Sequence, residues 1–142
     1  MNSSYEYEYP RPAVASDLVV WNRFNNHILL IERKHPPFAG CWALPGGFID
    51  ENESVEKAAI RELKEETNLD AMELTLIGVY SEPKRDPRSW VISVAYLASV
   101  NTEQIPVAGD DAARAIWFDI EKLPQLAFDH QRIVEDAIKI NT

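Results

Sequence analysis

The sequence has little cysteine, few basic residues and no long apolar run. Only one of its 142 residues is a cysteine, Cys41, so no disulfide can form within the chain. Lysine and arginine number 14 against 23 acidic residues, which gives a formal net charge of −9. This acidity argues against non-specific nucleic-acid binding, which needs a basic face. It does not exclude an anionic substrate, because bound divalent metals and a few arginines can reverse the local sign of the potential.

The sequence has no apolar run long enough to span a membrane, and its first residues do not have the pattern of a secretory signal. We expect a cytoplasmic protein that binds neither membrane nor nucleic acid. Residues 1–142 suffice for a single domain, and residues 1–12 form an extended N-terminal arm in this interpretation. The arm either lies on the surface or packs on the partner subunit of a homodimer. Between Gly40 and Trp42, Cys41 is expected to be a packed thiol rather than a nucleophile.

Hydrophobic patterning predicts strands joined to two helices. Ala13–Trp21 and His27–Arg33 have the composition of buried strands, and the polar turn between them predicts a hairpin. Further strands are expected at 74–80, 90–100 and 115–118, and helices after Ser54 and over 129–140. Strands mixed with one internal and one C-terminal helix imply a mixed sheet between helices.

The helix after Ser54 has an unusual distribution of charge. Ser54 is a good N-cap, and Val55, Ala59 and Leu63 fall on one side of the helix at about 100° per residue. Two glutamates, Glu62 and Glu66, fall within this apolar side, and Glu65 lies at its edge.

A carboxylate that faces a core is costly unless it is paired or binds a metal. Glu62, Glu65 and Glu66 occupy neighbouring positions of one helix surface, and oxygen ligands of this kind suit Mg²⁺ or Mn²⁺. The same residues are also compatible with an ordinary charged helix in which Arg61 bridges to Glu65.

A longer pattern surrounds these glutamates. Gly47, Glu53 and the run Arg61-Glu62-Leu63-Lys64-Glu65-Glu66-Thr67-Asn68-Leu69 have the spacing G-x5-E-x7-R-E-U-x-E-E-x-G-U, where U is aliphatic. This is similar to the Nudix box of the Nudix hydrolase superfamily. Asn68 replaces the final glycine. Asparagine adopts the left-handed conformation of a helix cap readily, and Leu69 can pack back on Leu63, so we expect activity to be retained.

The resemblance implies an α/β/α sandwich with a mixed sheet, and hydrolysis of a nucleoside diphosphate linked to another group. It implies Mg²⁺ or Mn²⁺ as cofactor, which would neutralise pyrophosphate oxygens and lower the pKa of a bound water. The implied metal ligands are Glu62, Glu65, Glu66 and the carbonyl of Gly46. The implied catalytic residues are Glu65, Arg61, Glu53 and, as a base or further ligand, Asp111 or its neighbour Asp110. These two aspartates are also compatible with a plain acidic turn.

The resemblance extends to segments outside the box. Residues 9–14 (YPRPAV), 37–48, 85–88 (RDPR), 91–96 and 126–130 look like the branch that contains ADP-ribose pyrophosphatases, which cleave ADP-ribose to AMP and ribose 5-phosphate. Two alternatives remain. One is a pyrophosphohydrolase of oxidised or ordinary nucleoside triphosphates. The other is a non-catalytic ADP-ribose-sensing regulator, although such regulators carry a winged-helix domain and often a degraded box, whereas this sequence keeps its glutamates.

Substrate-binding candidates lie in the loops around the box. Guanidinium groups could bind phosphate or ribose oxygens, and aromatic rings could stack on adenine. The candidates are Arg33, Arg85, Arg88, Phe38 and Trp42. Each has a structural alternative: a solvated strand end for Arg33, pairing of one arginine with Asp86, and core packing for the aromatic residues. His130 is expected to be a hydrogen-bonded structural histidine rather than a base.

Overall fold

Seven strands form one mixed sheet in the computed structural model, which describes residues 5–140. In chain order the strands are β1 (Ala13–Asn22), β2 (His27–Arg33), β3 (Trp42–Ala43), β4 (Gly46–Phe48), β5 (Ala71–Tyr80), β6 (Val91–Val100) and β7 (Ala112–Asp119). Two α-helices, α1 (Val55–Thr67) and α2 (His130–Ile140), and a 3₁₀ turn at Ile120–Lys122 complete the fold.

Strand β1 is the centre of the sheet. It runs parallel to β6 over eight residue pairs, from Ala13 opposite Val91 to Val20 opposite Ala98, and antiparallel to β4 on its other side. Only its last two residues pair with β2, so the predicted hairpin is confirmed but short. Beyond this point β2 leaves β1 and pairs with β3 and β7. The opening between β1 and β2 is filled by β4, which brings the glycine pair to the middle of the molecule.

Strand boundaries differ from prediction where the pattern is not apolar. β5 begins at Ala71 rather than at 74, because pairing with β6 extends it through the exposed Met72 and Glu73. β7 begins at Ala112 because it pairs with the end of β2, at Arg33. Backbone pairing forms both strand ends, through exposed residues in β5 and through the buried Ala112 in β7.

A hydrophobic core lies on each face of the sheet. Ile133, Val134 and Ala137 of α2 pack on one cluster of buried side chains. Ala59 and Leu63 of α1 pack with Leu69 on the other. The predicted sandwich, with a mixed sheet between helices, is confirmed.

The thiol of Cys41 is exposed, so the prediction of a packed thiol is wrong. The residue lies in a loop whose backbone is fixed by its carbonyl, which accepts a hydrogen bond from the Arg33 amide (2.9 Å), while its side chain is left in solvent. Within residues 5–140, no helix is long and apolar enough to cross a membrane.

The N-terminal arm packs on its own chain over the part that the structure describes. The Tyr5 hydroxyl donates to Glu51 (2.7 Å), and the rings of Tyr5 and Tyr7 are stacked with centroids 6.2 Å apart. Residues 1–4 of the predicted arm lie outside the described residues. The tyrosine side chains remain largely exposed.

Candidate active site

Helix α1 has the caps that its sequence predicts. The Ser54 hydroxyl accepts a hydrogen bond from the Lys57 amide (3.2 Å) at its start. At its end Asn68 is left-handed (φ 63°), and its amide donates to the Lys64 carbonyl (2.9 Å). Leu69 is buried in the same cluster as Leu63. Both ends of the helix are therefore fixed, and with them the direction of each glutamate.

A cavity of about 370 Å³ lies beside α1, β4 and the start of β1. Charged side chains of both signs line it. The carboxylates are Asp17, Asp50, Glu62, Glu66, Asp86 and Asp111, and the guanidinium groups are Arg33, Arg85 and Arg88. Gly46, Gly47, Phe128 and His130 also contribute to its wall.

Glu66 is a buried carboxylate, 5% exposed, at the edge of this cavity. Its Oε1 accepts a hydrogen bond from the Gly46 amide (2.8 Å). Burial raises the pKa of Glu66 well above its ordinary value, the Gly46 hydrogen bond opposes this, and the charges of Glu62, Asp17 and Asp111 raise it further. The ionised form of Glu66 thus lacks a cation partner among these neighbours.

Glu62 lies directly over β4. A Cβ atom added to Gly47 would come within 2.6 Å of the Glu62 Cδ, so glycine is required there by close approach. Burial raises the pKa of Glu62, although a hydrogen bond from Arg61 Nη1 to its Oε1 (2.8 Å) opposes the shift. At Gly46 the backbone has φ 154°, and a Cβ there would collide with the Ser16 carbonyl oxygen. The backbone of β4 is thus packed between β1 and Glu62.

Arg61 gathers the remaining carboxylates of the box. Its guanidinium donates twice to Glu53 (2.8 and 2.9 Å) and once to the Phe48 carbonyl (3.0 Å). This pairing lowers the pKa of Glu53 to about 2. Glu65 accepts a weaker bond from Arg61 (3.2 Å), has a 40% exposed side chain and does not line the cavity. Glu62 and Glu66 thus line the cavity, Glu62 while also bound to Arg61, and Glu65 is bound to Arg61 outside it.

The donor set of the cavity fits a divalent cation. Glu62 and Glu66 offer oxygen ligands, and their electrostatic repulsion in a desolvated site is what a cation would relieve. Over residues 5–140, no three His, Cys, Asp or Glu side chains are grouped closely enough to hold a metal ion as they stand. The side chains are instead held by Arg61 and by the Gly46 amide.

The three arginines of the cavity differ in how fully they are paired. Arg85 has a 4% exposed side chain and donates twice to Asp129 (2.9 and 2.6 Å). Arg88 donates twice to Asp86 (3.0 and 2.7 Å), so one arginine of this loop is paired with its own aspartate.

Within residues 5–140, the hydrogen bond of the Arg33 guanidinium goes from Nε to a carbonyl, that of Pro37 (2.8 Å). In the described part of the chain no carboxylate lies within 4.0 Å of its guanidinium. Burial and the neighbouring charge of Arg88 lower the pKa of Arg33, and the charges of Glu66, Asp111 and Asp86 oppose this shift. Arg33 is therefore the cavity arginine with terminal amino groups left for a ligand.

Phe38 and Trp42 lie outside the cavity wall. Phe38 is 40% exposed and packs edge-on against Phe128, with ring centroids 4.8 Å apart. Trp42 packs against Phe118 (4.8 Å), and Arg114 covers its ring (5.0 Å). The phenylalanines that do line the cavity are Phe48 and Phe128.

The loop that carries Asp110 and Asp111 is tied to the end of α1. The Val107 amide donates to the Thr67 carbonyl (2.9 Å), and the Gly109 amide donates to the Glu66 carbonyl (3.1 Å). Asp111 lines the cavity, whereas the Asp110 carbonyl accepts from Lys34 Nζ (3.0 Å). These contacts bring Asp111 to the same cavity as the two buried glutamates.

Asp17, like Asp50 and Phe128, lines the cavity without having been predicted from the sequence. It lies in β1, is 7% exposed, accepts a hydrogen bond from the Ser93 hydroxyl (2.5 Å) and lies 3.9 Å from Arg85 Nη2. The available signal was an acidic residue inside the apolar run ASDLVVW, since a buried carboxylate needs partners.

His130 has the structural role expected of it. Its Nδ1 accepts a hydrogen bond from the Leu44 amide (3.0 Å), and its Nε2 lies 3.6 Å from Asp17 Oδ1. Burial lowers the pKa of His130, while the nearby carboxylates of Asp17 and Asp129 oppose this shift. The imidazole thus fixes the backbone two residues before Gly46.

Residues 11–137 match the sequence model of the NUDIX domain. The chain is 50% identical over 131 residues to the ADP-ribose pyrophosphatase of Methanocaldococcus jannaschii, which covers 92% of this chain and 76% of that protein. The NUDIX domain of Shewanella oneidensis NrtR, solved with ADP ribose, superposes with a TM-score of 0.85 at 30% identity, covering 97% of this chain and 94% of that one.

A third similar protein was solved with a metal ion. It is the bifunctional NMN adenylyltransferase/ADP ribose pyrophosphatase of Francisella tularensis, complexed with AMP and an Mn ion. Its TM-score is 0.81 at 29% identity, and the match covers 96% of this chain but 44% of that one. The chain described here belongs to the Nudix family of hydrolases, which use divalent metals, and both the box and the resemblance to the ADP-ribose pyrophosphatase branch are confirmed.

Proposed function

We propose that this chain hydrolyses the pyrophosphate bond of ADP-ribose, giving AMP and ribose 5-phosphate, with Mg²⁺ or Mn²⁺ as cofactor. The observation that carries the proposal is the cavity in which the box glutamates Glu62 and Glu66 lie near the unpaired guanidinium of Arg33. Carboxylates suit the cation and the guanidinium suits phosphate oxygens, so one cavity holds partners for both parts of a metal–diphosphate complex. The likeness to an ADP-ribose pyrophosphatase over most of the chain supports the choice of substrate.

In this proposal Glu62, Glu66 and the carbonyl of Gly46 would hold the cation. The chemistry that these ligands would gain from a bound divalent cation is neutralisation of pyrophosphate oxygens and a lower pKa for a coordinated water. Arg61 holds Glu62 in place through a 2.8 Å hydrogen bond and is itself fixed by Glu53. Glu65 stays a predicted further ligand, and it would have to leave Arg61 to reach the cavity.

The remaining roles concern the substrate and the proton. Arg33 would bind the diphosphate through its terminal amino groups. Arg88, which is held by Asp86, would add positive charge near the diphosphate. Arg85 would act indirectly, because it holds Asp129 and lies near Asp17 in the cavity wall. We assign Asp111 the proton of the attacking water, since its loop is bonded to the last turn of α1.

A substrate panel tests this proposal. The purified protein, with Mg²⁺ or Mn²⁺, is assayed against ADP-ribose, NADH, diadenosine polyphosphates, sugar nucleotides and nucleoside triphosphates. We expect the highest kcat/KM for ADP-ribose, with AMP and ribose 5-phosphate as products. Preference for a triphosphate would move the chain to the first alternative, and tight ADP-ribose binding without turnover would favour the regulator.

Two further proposals concern the setting of the enzyme. We propose a cytoplasmic location, which suits an exposed and unpaired thiol at Cys41. We also propose a homodimer, because β5 is the last strand of the sheet on its side and exposes Met72, Leu76 and Val79. Sedimentation velocity measures the second of these directly.

A further inference from the structure

Phe128 lies at the centre of a group of side chains beside the cavity. The Arg33 Cζ atom lies 5.1 Å from its ring centroid, and the Arg88 Cζ atom lies 5.5 Å from it. Phe38 packs edge-on against the same ring at 4.8 Å, and the His130 ring lies 5.2 Å away. The phenyl ring is therefore within cation–π distance of two of the three cavity arginines.

Arg33 depends on this ring more than Arg88 does. Arg88 is held by two hydrogen bonds from its guanidinium to Asp86. Arg33 has one hydrogen bond, through Nε, and no carboxylate within 4.0 Å over the described ranges. A long side chain with a single bond keeps much of its rotamer freedom unless a packed surface limits it. The Phe128 ring is that surface.

The backbone holds Phe128 in an unfavourable conformation. Its φ is 54°, and that of its neighbour Phe38 is 61°, a region that bulky residues seldom occupy. Such strain persists where the surroundings fix it, and it is concentrated at functional sites. Here the segment is fixed on both sides of Phe128, because the Ala127 amide donates to the Trp42 carbonyl (2.8 Å) and His130 binds the Leu44 amide.

We propose that Phe128 is a positioning residue, whose ring holds the Arg33 guanidinium so that its terminal amino groups bind the diphosphate of the substrate. This inference rests on the proposed function, since it takes a diphosphate as the ligand. Phe128 contributes no polar atom of its own. Its role is to limit the orientations of the cavity arginine that has no carboxylate partner.

A double-mutant cycle tests the inference. Phe128→Leu keeps an apolar side chain and removes the aromatic face, and Arg33→Gln removes the cation. We expect Phe128→Leu to raise KM for ADP-ribose about three- to tenfold and to leave kcat within about twofold, as cation–π energies imply. In the Arg33→Gln background the same change should have no further effect. Phe128→Tyr, which keeps the ring, should retain the wild-type KM, and Phe128→Met repeats the test if the leucine variant does not fold.

Equal effects of Phe128→Leu in both backgrounds, or a tyrosine variant as weak as the leucine variant, would overturn the inference. Tyr7→Leu is the matched control, because Arg11 covers the Tyr7 ring at 4.1 Å outside the cavity. Tyr7→Leu should leave KM and kcat for ADP-ribose at the wild-type values.

Calorimetric titration with ADP in EDTA separates this inference from the proposed function. If Phe128→Leu weakens ADP binding in the wild type but not in the Arg33→Gln background, the positioning role is supported even if ADP-ribose is not turned over. Absence of ADP binding to the wild type, or additive losses, overturns it even if the enzyme cleaves ADP-ribose.

Discussion

Glu66 reaches the cavity with the neutral Gly46 amide as its hydrogen-bond partner, whereas two of the three cavity arginines are already paired with aspartates. Burial raises the pKa of both Glu62 and Glu66, and the charge of Glu62 raises the pKa of Glu66 further. Arg85 is bound to Asp129 and Arg88 to Asp86. Arg33 is the exception on the basic side, since it has no carboxylate partner in the part of the chain that the structure describes.

This difference separates groups that bind ligands from groups that hold the fold. A buried charge without a partner costs free energy of folding and is retained where a ligand supplies the partner. A buried charge with a bidentate partner is compensated within the fold. Its removal leaves the partner buried without a counter-charge, which lowers the free energy of unfolding. Glu66 and the half-buried Arg33 are close to the first kind and Arg85 belongs to the second, although all three line one cavity.

The largest expected effect comes from Glu66→Gln. Glutamine can still accept the Gly46 hydrogen bond but offers no charge to a cation, so we expect metal-dependent turnover to fall about 100- to 1,000-fold or more. Because the folded-state pKa of Glu66 is raised, its ionisation removes stability as pH rises above the unfolded value. The variant should therefore unfold at a higher temperature than the wild type at pH 7 in EDTA, by scanning calorimetry. Undiminished turnover would show that Glu66 is not a metal ligand.

Gly47→Ala tests the packing of Glu62 without removing any charge. The new Cβ would lie 2.6 Å from the Glu62 carboxyl carbon, so the carboxylate must move. We expect kcat to fall about 100-fold, because displacement of a reacting group by about 1 Å has effects of that size. Gly78→Ala is the matched control in β5, where the nearest atom to a Cβ is 3.8 Å away. Equal activities of the two variants would contradict the close approach.

Arg33→Gln and Arg85→Gln compare an unpaired with a paired arginine directly. Loss of Arg33 should raise KM about 10- to 100-fold, the range for a charge-assisted hydrogen bond, with little change in the free energy of unfolding. Loss of Arg85 should lower the free energy of unfolding by about 2–4 kcal/mol, because Asp129 and Asp17 are left without their cation. Steady-state kinetics and urea unfolding measure the two quantities. If Arg33→Gln mainly lowered the free energy of unfolding and Arg85→Gln mainly raised KM, Arg33 would be the structural arginine and Arg85 the ligand-binding one.

The smallest expected effect is the contribution of His130 to the pH dependence of the free energy of unfolding. Burial lowers its folded-state pKa below the ordinary value of 6.5, so the neutral form stabilises the fold above that pH. This contribution is lost as pH falls from about 6.5 towards the folded pKa. His130→Asn keeps an acceptor for the Leu44 amide but cannot ionise. The difference in unfolding free energy between wild type and variant should therefore shrink from pH 7 to about pH 5. Parallel pH profiles for the two proteins would exclude this contribution.

The sequence by itself determined the helix and the chemistry of its glutamates. Ser54, the apolar stripe and the Asn68 cap are local signals, since each depends on residues within one or two turns. They predict the buried position of Glu66, which the structure confirms at 5% exposure. The box spacing likewise identifies the Nudix family, which the family match confirms.

Tertiary structure alone decided which residues share the cavity and which of them are already paired. Asp17 of β1, Glu66 of α1 and Phe128 before α2 are far apart in the chain, and they meet because β4 lies beside β1 and the Leu126 segment lies beside β3. The pairing of Arg85 with Asp129 spans 44 residues, so no local pattern could separate it from the unpaired Arg33. Periodicity gives the face of an element on which a side chain lies, whereas its partner depends on how the elements pack.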